Sequence, residues 1–206
     1  RWNMDKVYLR DLAADGVPVV PTVWLECGQP ADLSTLLTEQ GWGRVVLKPA
    51  ISGSADGAWQ ADRTQAPALQ PRLEAMLRRG GALLQPFLPE IHTGEWSMIF
   101  FDDVYSHAVL KRPAPGGIFV QEEHGGTYMS VEPAAAIRDA ALAVLSAAHR
   151  VAGGGPFLYA RVDGVLLDGC FTLMELEVLE PALFLSTSPG APERFAAAIR
   201  ARLTSR

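Results

Sequence analysis

Two groups of residues in this chain have the types and spacing to do chemistry. The first is Lys48 followed by Pro49-Ala-Ile-Ser52-Gly53-Ser54-Ala-Asp-Gly57, a lysine closing a β-rich run (44–48) that breaks into a loop of small residues. Glycines let consecutive backbone N–H groups approach an anion closely, and the lysine adds a full positive charge, so the segment suits phosphate oxygens. It is not a P-loop, because the lysine precedes the glycines and no Gly-Lys-Ser/Thr follows. Taken alone, a strand-end lysine before a surface turn explains it as well.

The second group is Leu173-Met-Glu175-Leu-Glu177, with Asp163 on the strand before it. Strand alternation sets Glu175 and Glu177 on one face. Adjacent carboxylates repel unless solvent, a proton or a cation relieves them. The apolar neighbours Leu173, Met174, Leu176 and Val178 argue against the alternative of a solvated outer face. Carboxylate oxygens favour Mg²⁺ or Mn²⁺, and Mg²⁺ completes its shell with substrate phosphates. Asp163 depends on the turn. A two-residue loop at Asp168-Gly169 pairs position 163 with 174 and turns Asp163 away. A three-residue loop, 167–169, pairs 163 with 173 and brings all three acids together; this is the expected register.

The elements that must hold these residues read as hairpins mixed with helices. Helices are expected over 3–15, 31–40, 67–79, 133–151 and 192–203, punctuated by Gly16, Pro30, Gly41, Gly80-Gly81 and Gly153-Gly154-Gly155. Strands are expected over 17–20, 44–48 and 82–85, with hairpins 95–101/104–112 and 157–166/170–178; 113–126 is a Gly/Pro-rich loop. The pattern is that of an α+β protein with largely antiparallel sheets. With 206 residues, 49% hydrophobic and 20% charged, the chain can bury a core in one domain or in two small lobes. A net charge of −5 without a basic stretch argues against nucleic acid or an anionic membrane as a partner. No apolar run is long enough to span a bilayer and no signal peptide is visible, so a cytoplasmic location is expected. Cys27 and Cys170 suit neither a disulfide framework nor a zinc site, and are expected to be reduced and mostly buried.

Taken in order, Lys6, Lys48 with its Gly/Ser loop, Leu84-Gln-Pro-Phe-Leu-Pro-Glu90, Arg112 before a Gly-rich loop, and Asp163…Glu175-x-Glu177 resemble the ATP-grasp enzymes. Within them the chain is most similar to the glutathione synthetase and ribosomal-protein-modifying ligase group, and there to the O-ureidoserine cyclo-ligases. The segments carrying that likeness are Asn3-Met-Asp-Lys-Val-Tyr-Leu9, Ser106-His-Ala-Val-Leu-Lys-Arg-Pro113, Glu122-Glu-His-Gly-Gly126 and Glu175-Leu-Glu-Val-Leu-Glu-Pro181. The resemblance implies an ATP-grasp fold of two α+β subdomains enclosing a nucleotide cleft. Residues 16–88 would form the smaller lid, and 1–15 with 89–206 the larger subdomain.

It also implies roles. Lys6 and Lys48 would contact ATP phosphates beneath the loop holding Ser52, Gly53 and Ser54. Gln85 would meet the adenine edge, the backbone of Phe87 and Leu88 the purine, and Glu95 would take the ribose or line the nucleotide cleft. Arg112 would stabilise the transferred phosphoryl group, and Asp163, Glu175 and Glu177 would hold magnesium. The implied activity is ATP- and Mg²⁺-dependent C–N ligation of a small, amino-acid-like substrate through an acyl phosphate, with release of ADP and phosphate. An N-terminal domain packing on this chain is expected in the full-length protein, and a homodimer is left open. Two positions depart from the pattern: Glu177 stands where asparagine is common, and Phe119 where the cyclo-ligases lead to an arginine. Phe119, together with the expected N-terminal domain outside this chain, makes a nucleotide-binding module without turnover of its own the second reading. His107 reads as structural, His124 as a candidate for substrate contact, and alternation lets only one of Lys111 and Arg112 reach the phosphates.

Overall fold

Proline, glycine and short polar residues set the limits of the helices and leave the intervening runs to pair as strands. The computed structural model describes residues 2–53 and 55–204. Helix α1 is Tyr8–Ala14, preceded by a 3-10 turn at Trp2–Met4. The chain forms two compact units. Of the described residues, the first comprises 3–7, 20–53 and 55–88, the second 2, 8–19 and 89–204. The resemblance implies a boundary at 15/16; here residues 16–19 go with the second unit and 3–7 with the first. Lys6 N–H donates to Ala50 O in the first unit, while Leu173 N–H donates to Pro18 O in the second.

The first unit contains β1 (Val23–Leu25), α2 (Leu33–Glu39), β2 (Arg44–Pro49), β3 (Trp59–Asp62), α3 (Ala66–Leu77) and β4 (Ala82–Pro86). Asp32 caps α2 by accepting from Thr35 N–H at 2.7 Å, which is the usual use of aspartate before a helix. The strands form an antiparallel sheet in the order β1-β4-β2-β3. Val45, Leu47, Ala61 and Leu84 pack with Leu33, Leu37, Leu73 and Leu77 of the helices to make its core. The strand expected at 17–20 is absent as such: Val19 makes one isolated bridge to Leu173, and the first strand begins at Val23.

The second unit adds β5 (Glu95–Phe101), β6 (Val104–Arg112), β7 (Thr127–Ser130), α4 (Ala135–Ala152), β8 (Tyr159–Leu167), β9 (Cys170–Glu177) and α5 (Ala191–Thr204). Its sheet runs β7-β6-β5-β8-β9, antiparallel throughout. Met98, Phe100, Val162 and Leu173 are buried in it; α4 buries Val144, Leu145 and Ala148, and packs on α1 and β9. Ile99 and Phe101 pack with Phe195 and Ala198 of α5. Both cysteines are free and exposed, contrary to their expected burial. No helix among the described residues is long and apolar enough to cross a membrane.

Both long hairpins share one device. Each turns through two residues with positive φ, Asp102-Asp103 (51° and 60°) and Asp168-Gly169 (51° and 80°). Each then carries one extra residue in its second strand. In β6 it is Ser106, because Ile99 faces His107 while Phe100 faces Tyr105. In β9 it is Met174, because Asp163 faces Glu175 while Gly164 faces Leu173. Such bulges shift everything beyond them to the opposite face.

Candidate active site

Directly opposed residues of antiparallel strands share a face, and three cross-strand rows of the five-stranded sheet carry charge. Glu95 faces Lys111. Ser97, Asp163 and Glu175 form the second row, and Ile99, Arg161 and Glu177 the third. The expected three-residue turn is not what brings Asp163 here. The turn has two residues, and the bulge at Met174 restores the alignment with Glu175. Gly164 sits at that bulge because a Cβ there would lie 2.5 Å from both Phe171 Cζ and Thr172 O.

Asp163 is only 2% exposed and fully engaged. Arg161 Nε donates to both of its oxygens at 3.0 Å and Nη2 to Oδ2 at 2.8 Å; the Ser97 hydroxyl donates to Oδ1, and Lys111 Nζ lies 3.7 Å away. Burial alone would raise its pKa, but Arg161, then Lys111 and Ser97, outweigh burial and hold the carboxyl below the usual range. Burial likewise opposes charge on Lys111, and Asp163 with Glu95, 2.5 Å away, overrides it and raises the ammonium pKa. Arg161 also donates to Glu177. Glu177 nonetheless rises to about 7, because burial, aided by the charges of Asp163 and Glu175, exceeds the pull of the guanidinium.

The sheet therefore gathers Glu95, Asp163, Glu175 and Glu177, and adds two cations. Of Lys111 and Arg112, Lys111 faces the acids. Arg112 is exposed on the other face, its Nε donating to Thr93 O at 3.0 Å. Arg161 is a residue that sequence reasoning missed, although its place two positions before Asp163 puts both on one face. Among the described residues no three His, Cys, Asp or Glu side chains form a ready metal-ligand set. Glu175 and Glu177 are half-buried carboxylates on one face, a donor set that fits a hard cation. The oxygens of Asp163 are already taken by Arg161 and Ser97.

In the first unit Lys48 lies in β2 opposite Leu83 of β4. Lys6, 8% exposed, donates through Nζ to Ser52 O at 2.6 Å and to Ser52 Oγ at 3.3 Å, tying it to the loop after β2. Gly53 is exposed in that loop; Ser54 lies outside the described residues. Gln85 is buried, its Nε2 donating to Thr22 Oγ1 at 3.0 Å. Phe87 N–H donates to Arg44 O at 2.9 Å, with the Arg44 guanidinium 4.6 Å above its ring; Leu88 is half-buried just after β4. In the second unit His107 bonds to Leu183 O through Nε2, and His124 lies against the Phe119 ring at 5.1 Å.

Two antiparallel α+β units, one with a lysine-flanked small-residue loop and one with a charged sheet face, define a class: the chain belongs to the ATP-grasp ligases. It is 33% identical over 217 residues to the cycloserine biosynthesis protein DcsG of Streptomyces lavendulae, an alignment spanning 98% of this chain and 71% of that protein. The crystal structure of D-cycloserine synthetase DcsG matches with a TM-score of 0.87 at 31% identity over the same shares. D-alanine–D-alanine ligase from Bacillus anthracis shares the fold at a TM-score of 0.70 and 17% identity, covering 99% of this chain and 70% of that one. The ATP-grasp ligase PsnB does so at 0.65 and 18%, over 96% and 60%. No family model matches the chain.

Proposed function

We propose that this protein uses ATP and Mg²⁺ to join a carboxyl group of a small amino-acid-like substrate to a nitrogen nucleophile, through an acyl phosphate, releasing ADP and phosphate. The observation that carries the reading is the pair Glu175 and Glu177, set on one sheet face with Asp163, Arg161 and Lys111. Glu175 and Glu177 would hold the magnesium ion, which when bound supplies charge neutralisation on the triphosphate. Asp163 would join them only by giving up bonds to Arg161.

The chain's own residues do the rest. Lys6 and Lys48 bring positive charge to phosphate oxygens, and the loop with Ser52, Gly53 and Ser54 supplies backbone N–H groups. Gln85, Phe87 and Leu88 serve the base, and Glu95 sets Lys111 in place by their ion pair. Phosphoryl transfer depends on positioning and on cations aimed at developing charge. Lys111 and Arg161 are the cations this face presents; Arg112, exposed beside Thr93, serves from a side chain that must turn to reach the phosphoryl group. The acyl phosphate would also have to be kept from water.

The test is ADP release with Mg²⁺, ATP and a panel of amino acids and amines, with hydroxylamine added to trap the acyl phosphate as a hydroxamate. Mg²⁺-dependent ADP release, lost in Glu175→Gln/Glu177→Gln, supports the reading. ATP binding with no ADP or hydroxamate from any panel member would leave the nucleotide-binding module in its place.

A further inference from the structure

The first unit holds a cavity of about 650 Å³, a size typical of small-molecule sites. Leu25, Trp59 and Met76 give it an apolar wall, continuous with the core between the sheet and its helices. Charge enters from two sides. Arg72 and Met76 lie one turn apart on α3, and Arg79 follows in the turn that ends the helix, its N–H donating to Met76 O at 3.0 Å. Both arginines line the cavity, and the Arg72 guanidinium lies over the Trp59 ring, 4.9 Å from its centre. Asp56 lines it from the loop between β2 and β3. Among the described residues none of these three side chains has an ion-pair partner, so opposite charges border one cavity without pairing with each other. Asp5 and Glu26 line it as well, both engaged elsewhere. Trp59 is 4% exposed, and its buried indole N–H has no acceptor, which is a costly arrangement. Of the described residues read as serving the nucleotide, Ser52 alone is in this wall.

We propose that this cavity binds a free amino acid with an apolar side chain, at a site separate from the nucleotide. A zwitterion is the ligand whose charges match the wall. Its carboxylate takes the guanidiniums of Arg72 and Arg79, for which their forked donors are suited. Its ammonium takes Asp56, and its side chain lies against Leu25, Trp59 and Met76. A simple anion would meet the Asp56 carboxylate without compensation, and a simple cation would meet two guanidiniums. An uncharged molecule would cover all three charges and pair none of them. Arg72, Arg79 and Asp56 are exposed, and ion pairs of exposed groups are individually weak. Half-saturation near about 1 mM is therefore expected. The site stands whether or not Glu175 and Glu177 hold a metal.

The experiment follows the indole N–H resonances of the ¹⁵N-labelled protein, with Trp59 assigned from Trp59→Phe. The probes are L-phenylalanine, L-methionine and L-leucine. Two further probes, 3-phenylpropionate and phenethylamine, each keep one of phenylalanine's charges. The expected result is a saturable shift of the Trp59 signal with at least one amino acid, half-complete near about 1 mM. Affinity should fall about tenfold in Arg72→Gln/Arg79→Gln, and by a similar factor for the two single-charge probes. Asp56→Asn, in an exposed loop, is a second variant of which a loss is also expected. Absence of a saturable shift up to about 20 mM with all three amino acids overturns the inference. So does unchanged affinity in these variants, or a single-charge probe that binds as well as phenylalanine. The shift should persist when ADP and Mg²⁺ saturate the protein; its loss would assign the cavity to the nucleotide and overturn a separate site. Failure of ADP to bind would strike the nucleotide reading and leave this site standing.

Discussion

Replacing Arg161 with methionine should destabilise the second unit by about 3–5 kcal/mol at neutral pH, the range for breaking a buried ion pair from one side. The magnitude follows from what Asp163 would be left with. Its carboxylate is 2% exposed and accepts three of its bonds from Arg161. Ser97 and Lys111, the latter at 3.7 Å, would remain. Methionine keeps most of the side-chain volume, so the loss is electrostatic and not a cavity. In urea unfolding followed by circular dichroism, a slope of about 2–3 kcal/mol per molar turns this loss into a midpoint lower by about 1–2.5 M. The same substitution in an Asp163→Asn background should cost far less, because no buried charge is stranded there. A coupling energy of at least about 2 kcal/mol is expected from the double-mutant cycle. Additive effects, or a single-variant loss below about 1 kcal/mol, would refute the view that Arg161 sustains a buried carboxylate.

Two further outcomes are expected. Gly164→Ala should lower the melting temperature sharply, by an overpacking cost of about 1–3 kcal/mol or more, since its Cβ would strike the Phe171 ring and the Thr172 carbonyl; a melting temperature equal to that of the wild type would show that the bulge can open without penalty. For pH, burial lowers the pKa of His107, with Leu183 O opposing it. The folded state thus binds a proton less readily than the unfolded state. Stability from this residue is complete above about pH 6.5 and is lost as pH falls towards the folded value. Melting curves from pH 8 to 5 should show that loss in the wild type and its removal in His107→Gln; parallel profiles would exclude it.

Where composition marks structure strongly, the sequence was readable. Glycine and proline bracket α2, α3 and α4, and the two-residue turn at Asp102-Asp103 falls where the hairpin needs it. The short strands β1, β3 and β7 escape such reading because three or four residues are too few to display alternation. The bulges escape it for another reason. Ser106 and Met174 carry no compositional sign of being extra residues, so counting back from either turn gives the wrong face. Counting from Asp102-Asp103 would set Glu95 opposite Leu110, yet it pairs with Lys111. Counting from Asp168-Gly169 turns Asp163 away, and the expected three-residue turn corrected the face by the wrong means. Glu175 and Glu177 survive this ambiguity since they lie on one strand. Lys111 stands out only once strands are aligned, because its partners Glu95 and Asp163 lie on other strands; Arg161, two positions from Asp163, was within reach of alternation alone.

The bulges also separate the phase of the charged face from events at the hairpin tips. Beyond Ser106 the strand is gripped by Arg194, which donates to the Ser106 hydroxyl and carbonyl; beyond Met174, the Tyr8 hydroxyl bonds to Leu176 N–H and O at the outer edge of β9. Parity is thus fixed midway along each hairpin. At Asp168-Gly169 the tip is exposed and its side chains have no part in that fixing. A reporter peptide spliced there would hang from a ladder already locked in phase, which makes this tip the natural place to attach a probe without disturbing the chemistry behind it.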